Sequence, residues 1–123
     1  MRYLVLLEGP QPTTPPPPAL MEAIATLGEE ATMSGSLLDT AGLAPSGLGT
    51  RVSLAAGELS VMDGPFTEAK ELISYAIYDV RTREEVVEWT QRFLTLHSEL
   101  WPEWEGEAEV VKVMGPEDFG AQP

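Results

Sequence analysis

The chain alternates between segments of extended apolar pattern and segments whose apolar residues recur at helical spacing. Tyr3 to Leu7 is apolar at every position, which predicts a strand that needs cover on both faces. Glu8, Gly9 and a segment from Pro10 to Pro18 containing six prolines end it. The apolar stretch is too short for a leader peptide, and the proline run predicts an extended loop. From Ala19 to Ser34, Leu20, Ile24, Leu27 and Ala31 recur at helical spacing, with Pro18 suited to the first turn and Gly35 to the position just past the end. Gly28 inside this helix costs about 1 kcal/mol relative to alanine. A short strand is expected at Ser36 to Leu38, followed by a loop rich in Gly, Ser and Pro as far as Gly49.

The middle of the chain reads as a hairpin. Arg51 to Leu54 and Glu58 to Met62 flank Ala55-Ala56-Gly57, and Asp63-Gly64-Pro65-Phe66 is a strong turn. Leu72 to Val80 predicts another two-faced strand, with Ile73, Tyr75 and Ile77 on one side and Leu72, Ala76, Tyr78 and Val80 on the other. Thr82-Arg83-Glu84-Glu85 is a capping box opening a helix to about Leu100, where Trp101-Pro102 ends it. Ala108 to Met114 is the last expected strand, and residues 116–123 are expected to form a loose tail.

This order of elements predicts one α+β domain over residues 1–115, a ferredoxin-like sandwich with an added β-hairpin. Two helices cover only one face of such a sheet. Because the strands at Tyr3 and Leu72 are apolar on both faces, a second copy packed sheet to sheet is expected, giving a homodimer with an α+β barrel.

Composition narrows the partners. Twenty acidic residues face seven Lys and Arg among 123 residues, a net charge of −13, so nucleic acid and anionic membrane surfaces are disfavoured. The acidity suits solubility, or attraction to a basic protein partner. With no cysteine there is no disulfide and no thiolate nucleophile or metal ligand. No apolar run approaches the roughly 18 residues of a membrane span, and a cytoplasmic protein is expected. Neither a metal-ligand spacing nor a phosphate-binding glycine loop occurs, so neither a metal nor another cofactor is expected.

At Val61-Met62-Asp63-Gly64-Pro65-Phe66-Thr67-Glu68-Ala69-Lys70-Glu71 the chain resembles the DGPF branch of the YCII-related family, in which Asp-Gly-Pro-Phe is followed by an acid, a lysine and an acid. Gly42-Leu43-Ala44-Pro45, Thr50-Arg51-Val52 and the segment Trp101 to Glu107 resemble other blocks of that family, while Ser74 stands where many members carry glycine. The resemblance implies a ferredoxin-like fold and a dimeric barrel. It also implies a His–Asp pair in a pocket, and in one branch the elimination of HCl from a chlorinated aromatic-derived compound. In that branch the histidine lies in the first helix; the helix at Ala19 to Ser34 has none, so that pair does not carry over intact. Some family members are encoded beside sigma factors, which implies a regulatory setting.

His97, the lone histidine, falls on the helix face of Val86, Phe93 and Leu100, which points at the sheet. It is either a general acid–base group or a hydrogen-bonded core residue. The helix C-terminus favours its charged form and burial opposes it. Asp63 is either a pocket carboxylate that works with His97 or a turn residue satisfied by its own backbone. Arg51 is a candidate for a substrate carboxylate, Tyr75 for a hydrogen bond to a ligand, and Lys70, with Glu68 and Glu71, for a charged pocket rim. Surface pairing, core packing and solvation are the alternatives. The functional expectation is a small-molecule-binding protein, a cofactor-free lyase or isomerase if catalytic, with Asp63 and His97 as its acid–base pair. The alternative is a non-catalytic dimeric regulatory module.

Overall fold

The computed structural model describes residues 1–10, 12–66 and 70–119. Its elements are β1 (Arg2–Gly9), α1 (Pro18–Met33), β2 (Leu37–Gly42), β3 (Thr50–Ala55), β4 (Glu58–Asp63), β5 (Glu71–Asp79), α2 (Arg83–Leu100) and β6 (Glu107–Lys112), with short 3-10 turns at Ser46–Leu48 and Pro116–Phe119. Four strands form an antiparallel sheet in the order β2-β5-β1-β6, and β3 and β4 form a two-stranded sheet of their own. With the hairpin set aside, this is the expected ferredoxin-like α+β order.

Local chemistry sets the helix ends. Pro18 opens α1, and Gly35, at φ 81°, closes it while Ser36 N–H reaches back to Ala31 O at 3.0 Å. Thr82 Oγ1 accepts from Glu85 N–H at 3.2 Å to cap α2, and Trp101 N–H donates to His97 O at 2.8 Å at its end.

Strand register decides the two faces of the sheet. Tyr3, Val5 and Leu7 are buried, and their partners Tyr78, Ala76 and Ser74 on β5 and Val110 and Ala108 on β6 share that face. Both helices lie over it, with Val86 and Ala31 almost wholly enclosed in the core. Arg92 of α2 forms a bidentate pair with Glu30 of α1 at 2.7 and 2.8 Å, which the register of the two helices allows. The pairing holds the Glu30 carboxyl below the ordinary range, but both side chains are exposed, so it is a minor source of stability. The opposite face carries Leu4, Leu6, Tyr75, Ile77 and Val111 with no helix of the described residues over them.

Four expectations are corrected. Ala55 pairs with Glu58, so the hairpin turn is the two residues Ala56 and Gly57, both at positive φ, instead of three. The short strand at Ser36 runs on to Gly42 because β5 offers it a paired edge. A bulge between Leu7 and Glu8 sets Leu72 opposite Glu8, and Leu72 is half exposed instead of buried with Ala76 and Tyr78. The expected loose tail begins with a formed turn: Gly115 N–H donates to Asp118 Oδ2 at 2.8 Å and Lys112 pairs with the same carboxylate, which lowers its pKa. Residues 120–123 lie outside the described residues.

Candidate functional site

Beneath α1 and α2, at the sheet end where β1 leaves for the proline run, there is a cavity of about 350 Å³. Leu7 and Ile73 floor it, Leu20, Met21 and Ile24 of α1 wall one side, and Phe93, His97, Trp101 and Trp104 wall the other. Pro12 and Pro16 also line it, so the proline run is part of the wall and not a bare connector. A smaller space of about 80 Å³ continues inward and shares Leu7, Ile24, Thr40, Ser74 and Phe93 with it. The lining is apolar except for Thr40, Ser74 and His97, the composition of a small-molecule pocket with few orienting groups.

His97 is 5% exposed. Its Nδ1 lies 3.0 Å from Phe93 O. A carbonyl only accepts, so Nδ1 carries the proton and the neutral ring leaves Nε2 as an acceptor. No described residue hydrogen-bonds Nε2. Phe93 meets the ring edge-on at 4.8 Å between centroids, and Trp104 lies against it at 4.7 Å. Burial pushes the imidazole pKa below its ordinary value, and the bond to Phe93 O pulls the other way with less effect. The helix face is as expected at Val86 and His97, but Leu100 is 36% exposed and Trp101 takes the buried place beyond His97.

The linkage gives a pH prediction. The folded state binds the His97 proton more weakly than the unfolded chain does, so stability is complete above the ordinary pKa of 6.5 and is lost as pH falls through and below it. Urea midpoints should therefore drop between about pH 7.5 and 5.5 in the wild type, and this part of the drop should vanish in His97→Phe. Equal slopes in both proteins would show that His97 is not held neutral.

Asp63 lies elsewhere. It ends β4 on the exposed hairpin, and its Oδ1 accepts from Thr50 Oγ1 at 3.0 Å. It is absent from the residues that wall the cavity, so a single chain does not bring Asp63 and His97 together there. Its neighbours form a latch at the hairpin base. Gly64 N–H donates to Gly49 O at 2.8 Å, and Ser46 Oγ accepts from Phe66 N–H at 3.4 Å. Ser46 N–H donates to Glu71 Oε1 at 2.7 Å, and the Arg51 guanidinium sits 4.1 Å over the Phe66 ring. A side chain at Gly64 would overlap the Ser46 carbonyl. Much of the Asp-Gly-Pro-Phe turn, and Glu71 beyond it, thus has a structural partner.

The other candidates spread over the open sheet face and its rim. Tyr75 Oη donates to Asp39 Oδ2 at 2.8 Å, and that bond to a carboxylate raises the phenol pKa. Lys70 pairs with Glu107, which with nearby Glu8 and Glu109 raises the amine pKa. Glu8, Glu107 and Glu109 bring their carboxylates within 4.8 Å of one another, a grouping created by strand pairing and already countered by Lys70. Glu68 lies outside the described residues. Among the described residues no helix is long and apolar enough to cross a membrane.

Sequence reasoning missed the cavity wall. Leu20 and Ile24 were visible as one helical face, but nothing local joins Pro12, Pro16, Trp101 and Trp104 to them.

The sequence model of the YCII-related domain matches residues 1–105. No curated protein sequence matches the chain. A crystal structure of an amidase of the hydantoinase/carbamoylase family from Burkholderia phymatum is similar over 93% of this chain at 21% identity, with a TM-score of 0.30. The chain spans 28% of that protein, and at such a score the likeness bears on neither fold nor activity.

Proposed function

We propose that this chain, which belongs to the YCII-related domain family, binds a small apolar molecule in the cavity under its two helices and offers it one proton acceptor, Nε2 of His97. The Asp63-Gly64-Pro65-Phe66 block supports placing it in the DGPF branch. The observation that carries the functional reading is the buried imidazole whose Nδ1 is tied to Phe93 O in a cavity that is apolar apart from it, Thr40 and Ser74. A neutral imidazole in low dielectric is a competent base near neutral pH, and its tautomer is fixed before any ligand arrives. The ligand must then bring a donor of its own: a phenol, an enol, or a C–H made acidic by an adjacent group. Cofactor-free elimination or isomerisation is the matching chemistry. In an elimination Nε2 takes the proton, the C–H pair forms the new double bond, and the leaving group departs with the pair of its own bond; in an isomerisation the C–H pair forms the new double bond, the old double-bond pair moves to its far carbon, and the imidazolium returns the proton there. Asp63 plays no part in this step, and Asp63→Asn should leave the NMR titration of His97 unchanged.

Binding is the first test. At about pH 6, 4-nitrophenol should quench tryptophan emission through Trp101 and Trp104, and 4-nitroanisole, which has no O–H, should bind about ten-fold more weakly. His97→Phe should abolish that preference while leaving apolar binding in place. Equal binding of the two probes to the wild type would defeat the assignment. Specific binding with no turnover of any acidic substrate would favour the non-catalytic module.

A further inference from the structure

The space under the helices has two ends of opposite hydrogen-bonding character. His97 lines only the outer cavity, Tyr78 and Thr90 line only the inner space, and Thr40 and Ser74 stand at the neck that both share. Each polar group is defined by where its proton goes. His97 Nδ1–H is engaged by Phe93 O, so the outer end presents an acceptor. Thr40 Oγ1 donates to Tyr75 O at 2.8 Å and Thr90 Oγ1 to Val86 O at 2.8 Å, so neither has a proton left to give. Ser74 is different. It stands on the helix side of β5, paired with buried Leu7, and its hydroxyl makes no hydrogen bond among the described residues. Deeper in, the buried Tyr78 hydroxyl has no partner among them either, and burial raises its pKa, which keeps it a neutral donor. An unpaired hydroxyl among apolar walls is unfavourable, so the neck and the inner end favour a ligand that brings an acceptor. No lysine or arginine is among the described residues lining either space, so that acceptor is a neutral one.

We propose that Ser74 selects the ligand of this cavity, a neutral conjugated acid such as a hydroxyaryl ketone or an enone with an acidic C–H. Its acidic O–H or C–H meets His97 Nε2 in the outer cavity, and its carbonyl oxygen accepts a hydrogen bond from Ser74 Oγ at the neck. The proposal rests on the reading of the cavity as a ligand site. At about 80 Å³ the inner space is well under the roughly 300 Å³ of a whole-ligand pocket, so it takes a substituent and not a ring. The chemistry of proton loss suits this placement. When Nε2 takes the proton, the electron pair left behind is delocalised through the conjugated system onto the carbonyl oxygen, which becomes an enolate oxygen. A donor standing at that oxygen strengthens its bond as the charge develops. A ligand reversed end for end sets its carbonyl against the lone pair of Nε2, so the same two groups also fix its direction.

NMR titrations with three probes test it. 4-Hydroxyacetophenone and 4-isopropylphenol have nearly the same shape and differ in the carbonyl oxygen, and 4-methoxyacetophenone keeps the carbonyl and lacks the O–H. At about pH 6 the wild type should bind 4-hydroxyacetophenone about ten-fold more tightly than 4-isopropylphenol. Ser74→Ala should bring that ratio down to about two or less, with 4-isopropylphenol bound as before and unchanged far-UV circular dichroism. His97→Phe acts on the other end: it should keep the ratio and remove the advantage of 4-hydroxyacetophenone over 4-methoxyacetophenone. A wild type that binds the ketone and its isostere equally, or a ratio that survives Ser74→Ala, overturns the proposal while the His97 reading stands. A Ser74-dependent ratio with no preference for the O–H supports Ser74 and sinks the His97 reading alone. If none of the three probes shifts the His97 resonance, the cavity is not a ligand site and both fall.

Discussion

Trp101→Ala should lower the free energy of unfolding by about 3–5 kcal/mol, the usual range for removing a buried tryptophan. Trp101 is 5% exposed at the end of α2, where its N–H closes on His97 O. Its ring stacks on Trp104 with 6.3 Å between centroids and 25° between planes, and Trp104 in turn lies on the His97 ring. Truncation therefore opens the cavity wall as well as the core. A domain of this size has only about 5–15 kcal/mol of stability, so the variant should be near its unfolding limit at 37 °C. The second readout is specific to the site. With the Trp101–Trp104 wall loosened, water reaches the imidazole and its NMR-monitored pKa should climb back toward 6.5, since burial is the main cause that lowers it. A loss under 1 kcal/mol with an unmoved His97 would mean that the two tryptophans do not wall the site. Because burial of the ring, not a charged neighbour, sets the shift, added salt should leave it in place.

Gly64→Ala should be the most damaging single methyl group in the chain. A Cβ at this position overlaps both the oxygen and the carbon of the Ser46 carbonyl, and this obstacle is backbone, which cannot rotate aside. Relief requires the hairpin base to move, which breaks Gly64 N–H to Gly49 O and Phe66 N–H to Ser46 Oγ. Overpacking of this kind costs about 1–3 kcal/mol or more. Hydrogen exchange should show the loss concentrated in amides of β3, β4 and the 46–49 turn, with α1 and β1 keeping their relative protection. Asp63→Asn keeps an oxygen for Thr50 and should cost less than about 0.5 kcal/mol. If Gly64→Ala were equally mild, the turn signature would need an explanation in chemistry instead of architecture.

These two sites show why the signature and the site separate. Asp63, Gly64 and Phe66 fasten the base of a hairpin, and Glu71 fastens the turn beneath it. His97 looks into a cavity assembled from α1, α2, the sheet and the proline run. Pairing Asp63 with His97 followed from each being a plausible acid–base group in sequence; the fold of one chain assigns them to different structures.

What the sequence by itself determined is what depends on near neighbours. Pro18, Gly35 and Thr82 set helix ends because a cap is made within four or five residues. The 3.6-residue repeat put His97 on the helix face toward the sheet, whereas β1, apolar at every position from Tyr3 to Leu7, received its buried side from the tertiary fold. Tertiary structure decided whatever joins residues far apart in the chain. The bulge at Leu7/Glu8 turned Leu72 outward, the pairing of β1 with β6 gathered Glu8, Glu107 and Glu109, and Pro12 came to share a wall with Trp104. Such contacts are set by strand register and by how the helices seat on the sheet, and these depend on the packing of the whole core; no local run of residues encodes them.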